Sequence, residues 1–514
     1  MAIEEKSLTK QAIKGSAWNF TSSLVMRAGS LIFSVILARM LLLEGFGLYN
    51  LVLSIALTFM FFSSTGINET LVRYIPESLK SKKLLKKNYF HTILKLKFIL
   101  VLVTSLLLLI ISYPLSEYIF KKPQAFFPLV LASVYIFILS LEGFFTAFFY
   151  AVKKSEYVVA KESISQVLRI GLVLIISLLL VKNLNVFHVF LVLIISTFIT
   201  LSFSVYNNYR LFPEIFKNKE PAKQEDKKRV FNFFMYSTLG FFSFMFLGNI
   251  DTIMLGIFVP GTEAIGIYRA AFNIVSSISG LLAFSSVLIP IFVQVKKENL
   301  EHAFNRVFKY TMIVSVPSAF GIAALGNYFL FLLYGRSYLE STLPLYFLSM
   351  LIILSVQVTL FISLFSTREK NNLFLSASLF VMALNILLNY LLIKYFLLFS
   401  PNLAATGVAI ATMISWIIYS IGLYIFAKNK LNIKVDLSLM IKPILSSIIM
   451  VLSLLFIKNL LNDINLFTGI LLVTTGFFVY ILSMLIFRGI NREDFKLFKL
   501  LFDFNFKKQT ISAN

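Results

Sequence analysis

The sequence predicts an all-α polytopic membrane protein with about 14 transmembrane helices. Of its 514 residues, 58% are hydrophobic and only 14% are charged. Apolar runs of about 20 residues, enough to cross a bilayer, recur along the whole chain. A soluble protein of this length would need far more charge to cover its surface. The chain has no cysteine, which excludes disulfides and thiolate metal sites.

Hydropathy places the expected spans, with ends uncertain by several residues. They lie near 15–42, 46–72, 88–112, 126–150, 158–181, 186–207, 231–259, 265–294, 304–326, 343–366, 372–394, 403–427, 440–458 and 466–487.

Basic residues predict the orientation. When loops are assigned alternately to two sides, most lysines and arginines fall on one side, including the run Lys80–Lys87 and the segment 208–230. By the positive-inside rule that side is cytoplasmic, so both termini are expected inside, with the protein in the cytoplasmic membrane. The formal charge of +23 is then a topology signal with some attraction to anionic lipid headgroups. No nucleic-acid partner is expected.

A short internal repeat predicts two parallel, pseudo-symmetric six-helix bundles. ARMLLLEGFGLYN at 38–50 aligns with IFVPGTEAIGIYRA at 257–270, pairing Glu44 with Glu263, Gly47 with Gly266 and Tyr49 with Tyr268. Repeats of the same topology are related by an axis along the membrane normal. The predicted divisions are a bundle at 1–207, a basic cytoplasmic linker at 208–230, a bundle at 231–430, and an extra helical hairpin with a basic tail at 431–514. A monomer is expected.

Polar residues form stripes on otherwise apolar spans, at the helical spacing of three and four residues. A polar stripe inside a membrane is explained if it lines a cavity or a protein interior. In the first span the stripe is Ser16, Asn19, Ser23, Arg27, Ser30 and Ser34; in the second it is Asn50, Ser54, Thr58, Thr65 and Glu69; in the eighth it is Arg269, Asn273, Ser276 and Gly280. The stripes are expected to face one another across a central cleft.

Arg27 is the most informative of these residues because it is too deep in its span to reach the interface easily. A guanidinium matches phosphate or carboxylate oxygens in a bidentate way, so an arginine-rich cleft predicts an anionic substrate. The candidate substrate-contact residues are Arg27, Asn19, Ser23, Ser30, Asn50, Arg73, Arg169, Arg269 and Asn273.

Asp251 and Asn249 in the seventh span are candidates for coupling or gating. An ion pair between Asp251 and Arg269 is the alternative to a ligand role. For Arg39 and Arg73, snorkelling or pairing with a helix end is the simpler interpretation. Glu142, partnered by a lysine or a hydroxyl, is a packing candidate. No catalytic constellation is found, so a transporter without a cofactor is expected, and Na⁺ or H⁺ could drive it.

Two motifs carry a family resemblance: Ala38-Arg39 followed by Glu44-Gly45-Phe46-Gly47-Leu48-Tyr49, and Asn249-Ile250-Asp251 followed by Gly266-Ile267-Tyr268-Arg269-Ala270. The chain resembles the polysaccharide biosynthesis protein family. These are O-antigen and lipid-linked oligosaccharide flippases of the superfamily that includes the multidrug and toxin extruders (MATE) and the lipid II flippase. The resemblance implies a V-shaped cavity, alternating access and a polyprenyl-diphosphate-linked sugar as substrate. In the lipid II branch, first-span arginines are thought to hold the diphosphate, which would map onto Arg27.

The predicted function is therefore outward translocation of a lipid-linked oligosaccharide by alternating access. Membrane lipids and the glycan polymerase or glycosyltransferases of the same pathway are the expected partners. A cation-coupled multidrug exporter of the same fold is the first alternative, favoured by Asp251 and disfavoured by the arginines. A membrane glycosyltransferase or a polysaccharide polymerase or ligase is the second, although it would need an acid, base or metal constellation that the sequence lacks.

Overall fold

The computed structural model describes residues 2–80, 89–180, 184–217, 224–282, 299–368, 370–461 and 465–490. These ranges contain helices and helical turns and no strand, so the all-α prediction is confirmed. The helices, numbered in chain order, are α1 Ala2–Lys80, α2 Tyr89–Pro114, α3 Phe126–Ala151, α4 Ser155–Ile175, α5 Val186–Leu211, α6 Pro213–Lys217, α7 Gln224–Phe258, α8 Glu263–Leu282, α9 Leu300–Ala324, α10 Gly326–Tyr334, α11 Thr342–Thr367, α12 Asn371–Leu397, α13 Ala404–Leu431, α14 Ile441–Leu460 and α15 Leu466–Ile486.

Eleven helical segments among the described residues are long and apolar enough to cross a membrane. The chain is thus a multi-pass membrane protein, but the count of 14 spans is not confirmed. One segment, Ala17–Pro76, covers 60 residues. It contains a break at Leu42 (φ 58°, ψ −176°), where the predicted first span ends. We call the parts before and after Leu42 α1a and α1b. Helix α4 is not among the eleven because charged residues interrupt its apolar sequence.

The two halves of the chain, α1–α5 and α7–α13, meet along α1. This helix contacts α2, α3 and α4 of its own half and also α7 and α8 of the other half. In the second half, α11 packs on α8, α9 and α13, and α12 packs on α7 and α13. The last helices, α14 and α15, pack on each other, and α14 also packs on α9. The predicted linker includes residues 218–223 and the predicted tail continues past 490; both stretches lie outside the described residues, so the four-part division stays a prediction.

The repeat-related glycines Gly47 and Gly266 lie at the contact between the halves. A Cβ atom built on Gly47 would overlap the carbonyl oxygen of Thr262, and one built on Gly266 would lie 2.5 Å from the carbonyl oxygen of Leu43. The Thr262 hydroxyl also donates to the carbonyl of Glu44 at 2.7 Å. Only glycine permits so close an approach of two backbones. We call this contact, at the end of the bundle predicted to face outside, the outer seam.

Two basic side chains of the first half cap helices of the second half beside the outer seam. The Lys122 ammonium donates to the carbonyls of Gly256 at 2.7 Å and Val259 at 3.2 Å, where α7 ends. Arg39 donates to the carbonyls of Leu332 at 2.5 Å and Leu333 at 2.7 Å, in the last turn of α10. Terminal helix carbonyls lack intrahelical partners and carry partial negative charge, which favours cations.

Burial lowers the pKa of Lys122 to about 8, so the group still carries its proton at neutral pH. Arg39 therefore pairs with the end of a helix, which is one of the two interpretations that the sequence suggested for it.

Gly47→Ala is expected to destabilise the closed outer seam, because the new methyl group overlaps the Thr262 carbonyl. Overpacking of this kind costs about 1–3 kcal/mol. The measurement is the midpoint of thermal unfolding of the purified protein, which should fall. Gly422→Ala is the matched control, because no atom lies within 4 Å of a Cβ built there. An unchanged midpoint in Gly47→Ala would show that the seam is not tightly packed.

Candidate functional site

The polar stripes of α1a and α8 face each other across the boundary between the halves. Arg27 donates through Nη1 to the carbonyl of Ser276 at 3.4 Å. Two turns further along α1a, the Ser34 hydroxyl accepts a hydrogen bond from the Asn273 amide at 2.9 Å. The structure thus brings Arg27 and Asn273 to one interface, as the facing stripes suggested.

The Arg27 guanidinium makes one hydrogen bond to the part of the chain that the structure describes. Its bond to Ser276 is long, and its Nε is buried without a hydrogen-bond partner among the described residues. A guanidinium has five N–H donors and stays charged at any working pH. The group packs directly over Gly280, where any Cβ would overlap it. Arg27 is therefore a half-buried cation whose hydrogen-bonding capacity the described residues do not fill.

The other candidate residues of α1 lie on both sides of Arg27. Asn19 and Ser23 are half-buried, and the Oδ1 of Asn19 is buried without a partner among the described residues. Ser30 is exposed. Asn50, in α1b, is buried and donates to the carbonyl of Phe46 in its own helix at 2.8 Å.

Arg269 also joins the two halves, but it has more partners than Arg27. Its Nε donates to the Thr252 hydroxyl at 2.5 Å, and its Nη2 donates to the Ser54 hydroxyl of α1b at 2.7 Å. The residue is 8% exposed. Arg269 is thus held in a polar network that includes Ser54 from the other half.

Arg73 and Arg169 occupy different surroundings from Arg27. Arg73 is exposed, and its guanidinium lies 4.5 Å from the ring centroid of Phe233 on α7. Arg169 is half-buried in α4 and interacts electrostatically with Glu142 and Glu162. Each of the four candidate arginines therefore has its own set of described partners.

A buried ionic network lies inside the first half. Lys161 is 3.2 Å from Glu142 Oε1 and 2.7 Å from Glu162 Oε1. The Thr200 hydroxyl donates to Glu142 at 2.9 Å. Glu142 thus has both partners considered for it, a lysine and a hydroxyl, and it is satisfied within the bundle.

Asp251 is the centre of a second buried cluster, in the second half. Its Oδ2 accepts from the hydroxyls of Tyr268 at 2.5 Å and Thr412 at 2.8 Å, and its Oδ1 accepts from the Asn389 amide at 2.8 Å. The same amide donates to Asn385 Oδ1 at 3.1 Å. Asn389 Oδ1 is buried without a partner among the described residues. Asp251 and Arg269 form no salt bridge, since Arg269 bonds to Thr252 and Ser54 instead.

Side-chain oxygens therefore converge around Asp251, 2% exposed, while Asn249 is also buried two residues earlier on α7. Hard cations prefer oxygen ligands. Within the described ranges no three His, Cys, Asp or Glu side chains cluster as metal ligands. A cation at this place would rely on one carboxylate and neutral oxygens, which fits a monovalent ion or a proton better than a divalent metal.

Lys97, in the third turn of α2, is a buried charged residue that was not among the predicted site residues. The side chain is 0% exposed, and its ammonium donates to the Ser63 carbonyl at 2.7 Å and the Ser140 hydroxyl at 2.8 Å. A lysine so far inside an apolar helix is itself a signal, because a charge at that depth is costly. Its partners, which come from α1b and α3, could not be read from the sequence.

Two cavities lie away from Arg27. One, of about 570 Å³, opens near the outer seam between Leu41, Gln124 and Phe187. The other, of about 220 Å³, lies between Phe308, Gln357 and Met440. Both are lined mainly by apolar side chains, and neither is lined by a candidate substrate-contact residue.

The chain is similar to known proteins in both sequence and structure. An uncharacterized membrane protein of Methanocaldococcus jannaschii is 23% identical over 478 residues, covering 89% of this chain and 92% of that protein. The structure is similar to that of the lipid II flippase MurJ in an inward closed conformation, with a TM-score of 0.72 and 16% identity over 92% of this chain and 98% of that chain.

A multidrug resistance MATE family transporter of the MOP superfamily, in an inward-facing conformation, is also similar in fold. Its TM-score is 0.56, with 15% identity over 81% of this chain and 94% of that chain. The fold is thus of the MurJ and MATE type. Residues 12–296, more than half of the chain, match the family described as polysaccharide biosynthesis protein. The chain therefore belongs to the polysaccharide biosynthesis protein family.

Proposed function

We propose that the protein is a flippase that translocates a polyprenyl-diphosphate-linked oligosaccharide from the inner to the outer leaflet by alternating access. The observation that carries this proposal is Arg27, a half-buried guanidinium at the boundary between the two halves whose Nε has no hydrogen-bond partner in the described part of the chain. A diphosphate offers oxygens to which a guanidinium can donate in pairs. The family and the flippase and transporter folds that the chain resembles support a transporter rather than an enzyme.

The polar residues around Arg27 suit the sugar part of such a substrate. Asn19 and Ser23 lie on the same stripe of α1a, and Asn273 lies on the facing stripe of α8. Amide and hydroxyl groups both donate and accept hydrogen bonds, as sugar hydroxyls do. In this proposal Arg73, Arg169 and Arg269 supply further positive charge along the path of the anion.

The Asp251 cluster is the proposed coupling site. A Na⁺ ion or a proton taken up there would neutralise the carboxylate and change its bonds to Tyr268, Thr412 and Asn389. These partners lie on α8, α13 and α12, so a change at Asp251 would act on the packing of the second half. The membrane potential would also favour the outward movement of an anion, by about 2.3 kcal/mol per charge per 100 mV.

The test uses proteoliposomes of the full chain with a fluorescent farnesyl diphosphate that carries one N-acetylglucosamine. Dithionite destroys the fluorophore on the outer leaflet, so its loss over time reports flipping. We expect wild-type protein to flip this lipid, and to flip the matching neutral lipid without the diphosphate at least about tenfold more slowly. Equal rates for the two lipids, or a rate equal to that of protein-free vesicles, would overturn the proposal.

A cation-coupled multidrug exporter is the second candidate, and the Asp251 cluster is the observation that favours it. A buried carboxylate that can take up a coupling cation suits an exporter of this kind, whereas the positive charge of Arg27 does not suit an organic cation as substrate. Ethidium transport distinguishes the exporter from the flippase. It is measured in the same vesicles, preloaded with ethidium, under a Na⁺ or H⁺ gradient. Gradient-driven ethidium movement without flipping of the diphosphate lipid would establish the exporter.

A further inference from the structure

Gly280 forms a notch on α8 that holds Arg27 of the opposite half. The carbonyl that Arg27 contacts belongs to Ser276, one helical turn before Gly280. A Cβ atom at position 280 would overlap both the Cζ and the Nε of Arg27. The guanidinium therefore lies in space that exists only because residue 280 has no side chain, and there it connects α1a to α8.

We propose that Gly280 is a positioning residue that makes Arg27 a releasable tether between the halves, and that a diphosphate releases it by drawing the guanidinium away from the Ser276 carbonyl. The identity of the anion rests on the proposed function, whereas the tether itself does not. In this arrangement the group that recognises the substrate is also one of the contacts that join α1a to α8, beside the hydrogen bond between Ser34 and Asn273.

The bond that the diphosphate must replace is weak. It is a single contact of 3.4 Å to a neutral carbonyl, at the long end of hydrogen-bond distances. A guanidinium bound to phosphate forms bonds of about 2.7–2.9 Å, frequently in pairs and roughly twice as strong as bonds between neutral groups. The buried Nε, without a partner among the described residues, can donate to the anion without giving up an existing bond.

The second arginine on this interface behaves differently. Arg269 donates to Thr252 and to Ser54 across the boundary at 2.5 and 2.7 Å, and it also reaches the Gly248 carbonyl at 3.4 Å. An anion that competed for Arg269 would have to break two short bonds. Of the two arginines that cross between α1 and α8, Arg27 is therefore the one that a substrate can release.

The experiment uses the absence of native cysteine. Arg210→Cys on α5 and Asn429→Cys on α13, both exposed and one in each half, carry spin labels. Electron–electron resonance in nanodiscs gives the distance between the halves, and calorimetry gives the affinity for the probe. The probes are inorganic pyrophosphate and farnesyl diphosphate, so that a free anion and a lipid-linked one are compared. A change in the distance between the halves with either probe supports release of Arg27 by a diphosphate. An unchanged distance with both probes overturns release by a diphosphate.

In wild-type protein we expect one distance between the spin labels without a probe, and a second, different distance to become populated when a diphosphate is added. Gly280→Ala should show that population without any probe, and should bind pyrophosphate as tightly as wild type or more tightly, because the notch no longer competes. Arg27→Ala should show it too, but its affinity for pyrophosphate should fall at least about tenfold. Gly422→Ala, with open space around its new methyl group, should behave as wild type.

A Gly280→Ala protein with the wild-type resting distance would overturn the tether, even if pyrophosphate still binds and the proposed function stands. If Gly280→Ala shifts the distance but no variant binds a diphosphate, the tether is supported while the diphosphate substrate fails. Should Gly280→Ala not fold, Arg27→Ala removes the other partner of the same contact, and a wild-type distance in that variant would overturn the proposal.

Discussion

Arg27→Ala is expected to lower the rate of diphosphate-lipid flipping by about 100-fold, while the protein still inserts and folds. Truncating one member of a buried, hydrogen-bonded charge pair costs about 2–5 kcal/mol, and each 1.4 kcal/mol is about tenfold. The loss is large because no other candidate arginine shares the position of Arg27. Arg269 is already engaged with Thr252 and Ser54, and Arg169 interacts with the acidic residues of the first half.

Two further variants make this result specific. Arg27→Lys keeps the charge but loses the planar fork, so it should retain part of the activity. Arg336→Ala removes an exposed arginine at the predicted outer face and should leave the rate unchanged. Rates are compared at equal protein density, after the chromatographic profile has shown that each variant is folded. A wild-type rate in Arg27→Ala would exclude Arg27 as the anion-binding residue.

The helical period of the polar residues predicted which faces of the spans would meet. The stripe from Asn19 to Ser34 has a step of three or four residues, and its members Arg27 and Ser34 contact the stripe of α8. The repeat likewise pairs Gly47 with Gly266 from the sequence alone. That these two glycines touch the opposite half could not be predicted, because it depends on how the pseudo-symmetric halves pack.

The helical periodicity of the sequence could not predict contacts between residues that lie far apart in the chain. Asp251 accepts hydrogen bonds from Asn389 and Thr412, which are 138 and 161 residues away. Lys97 is buried against hydroxyls of Ser64 and Ser140 from two other helices. The sequence shows that Asp251 and Lys97 are polar residues within apolar helices. Helix packing decides whether each of them has hydrogen-bond partners. A residue with partners is structural, and one without them is available to a ligand.

The charges of the two halves are asymmetric, although the backbone is repeated. The gapless repeat places Arg27 opposite Phe246 and Asp251 opposite Ile32. The first half thus presents at the interface a cation whose Nε has no partner among the residues that the structure describes, and the second half holds an anion inside its own bundle. This division would let one half recognise an anionic substrate while the other binds the coupling cation.

Asp251→Asn is expected to abolish the effect of a cation gradient on flipping while leaving the fold intact. Asparagine keeps the shape of the side chain and removes its charge, so the neighbouring hydroxyls can reorient as acceptors. Alanine would be a poorer test, because it removes the acceptor of the buried Tyr268 and Thr412 hydroxyls and of one Asn389 N–H, and each buried donor left unpaired costs about 1–3 kcal/mol.

The measurement is the flipping rate with an imposed Na⁺ or H⁺ gradient, together with thermal unfolding in NaCl and in choline chloride at equal ionic strength. If the Asp251 cluster binds Na⁺, wild-type protein should be more stable in NaCl, because a ligand at 100 times its dissociation constant adds about 2.7 kcal/mol. Asp251→Asn should lose both responses, and Glu263→Gln, which removes an exposed carboxylate, should keep them. If the rate instead follows pH and is indifferent to Na⁺, the carboxylate takes up a proton. A gradient response that survives in Asp251→Asn would place the coupling site elsewhere, because no other carboxylate of this cluster remains to carry it.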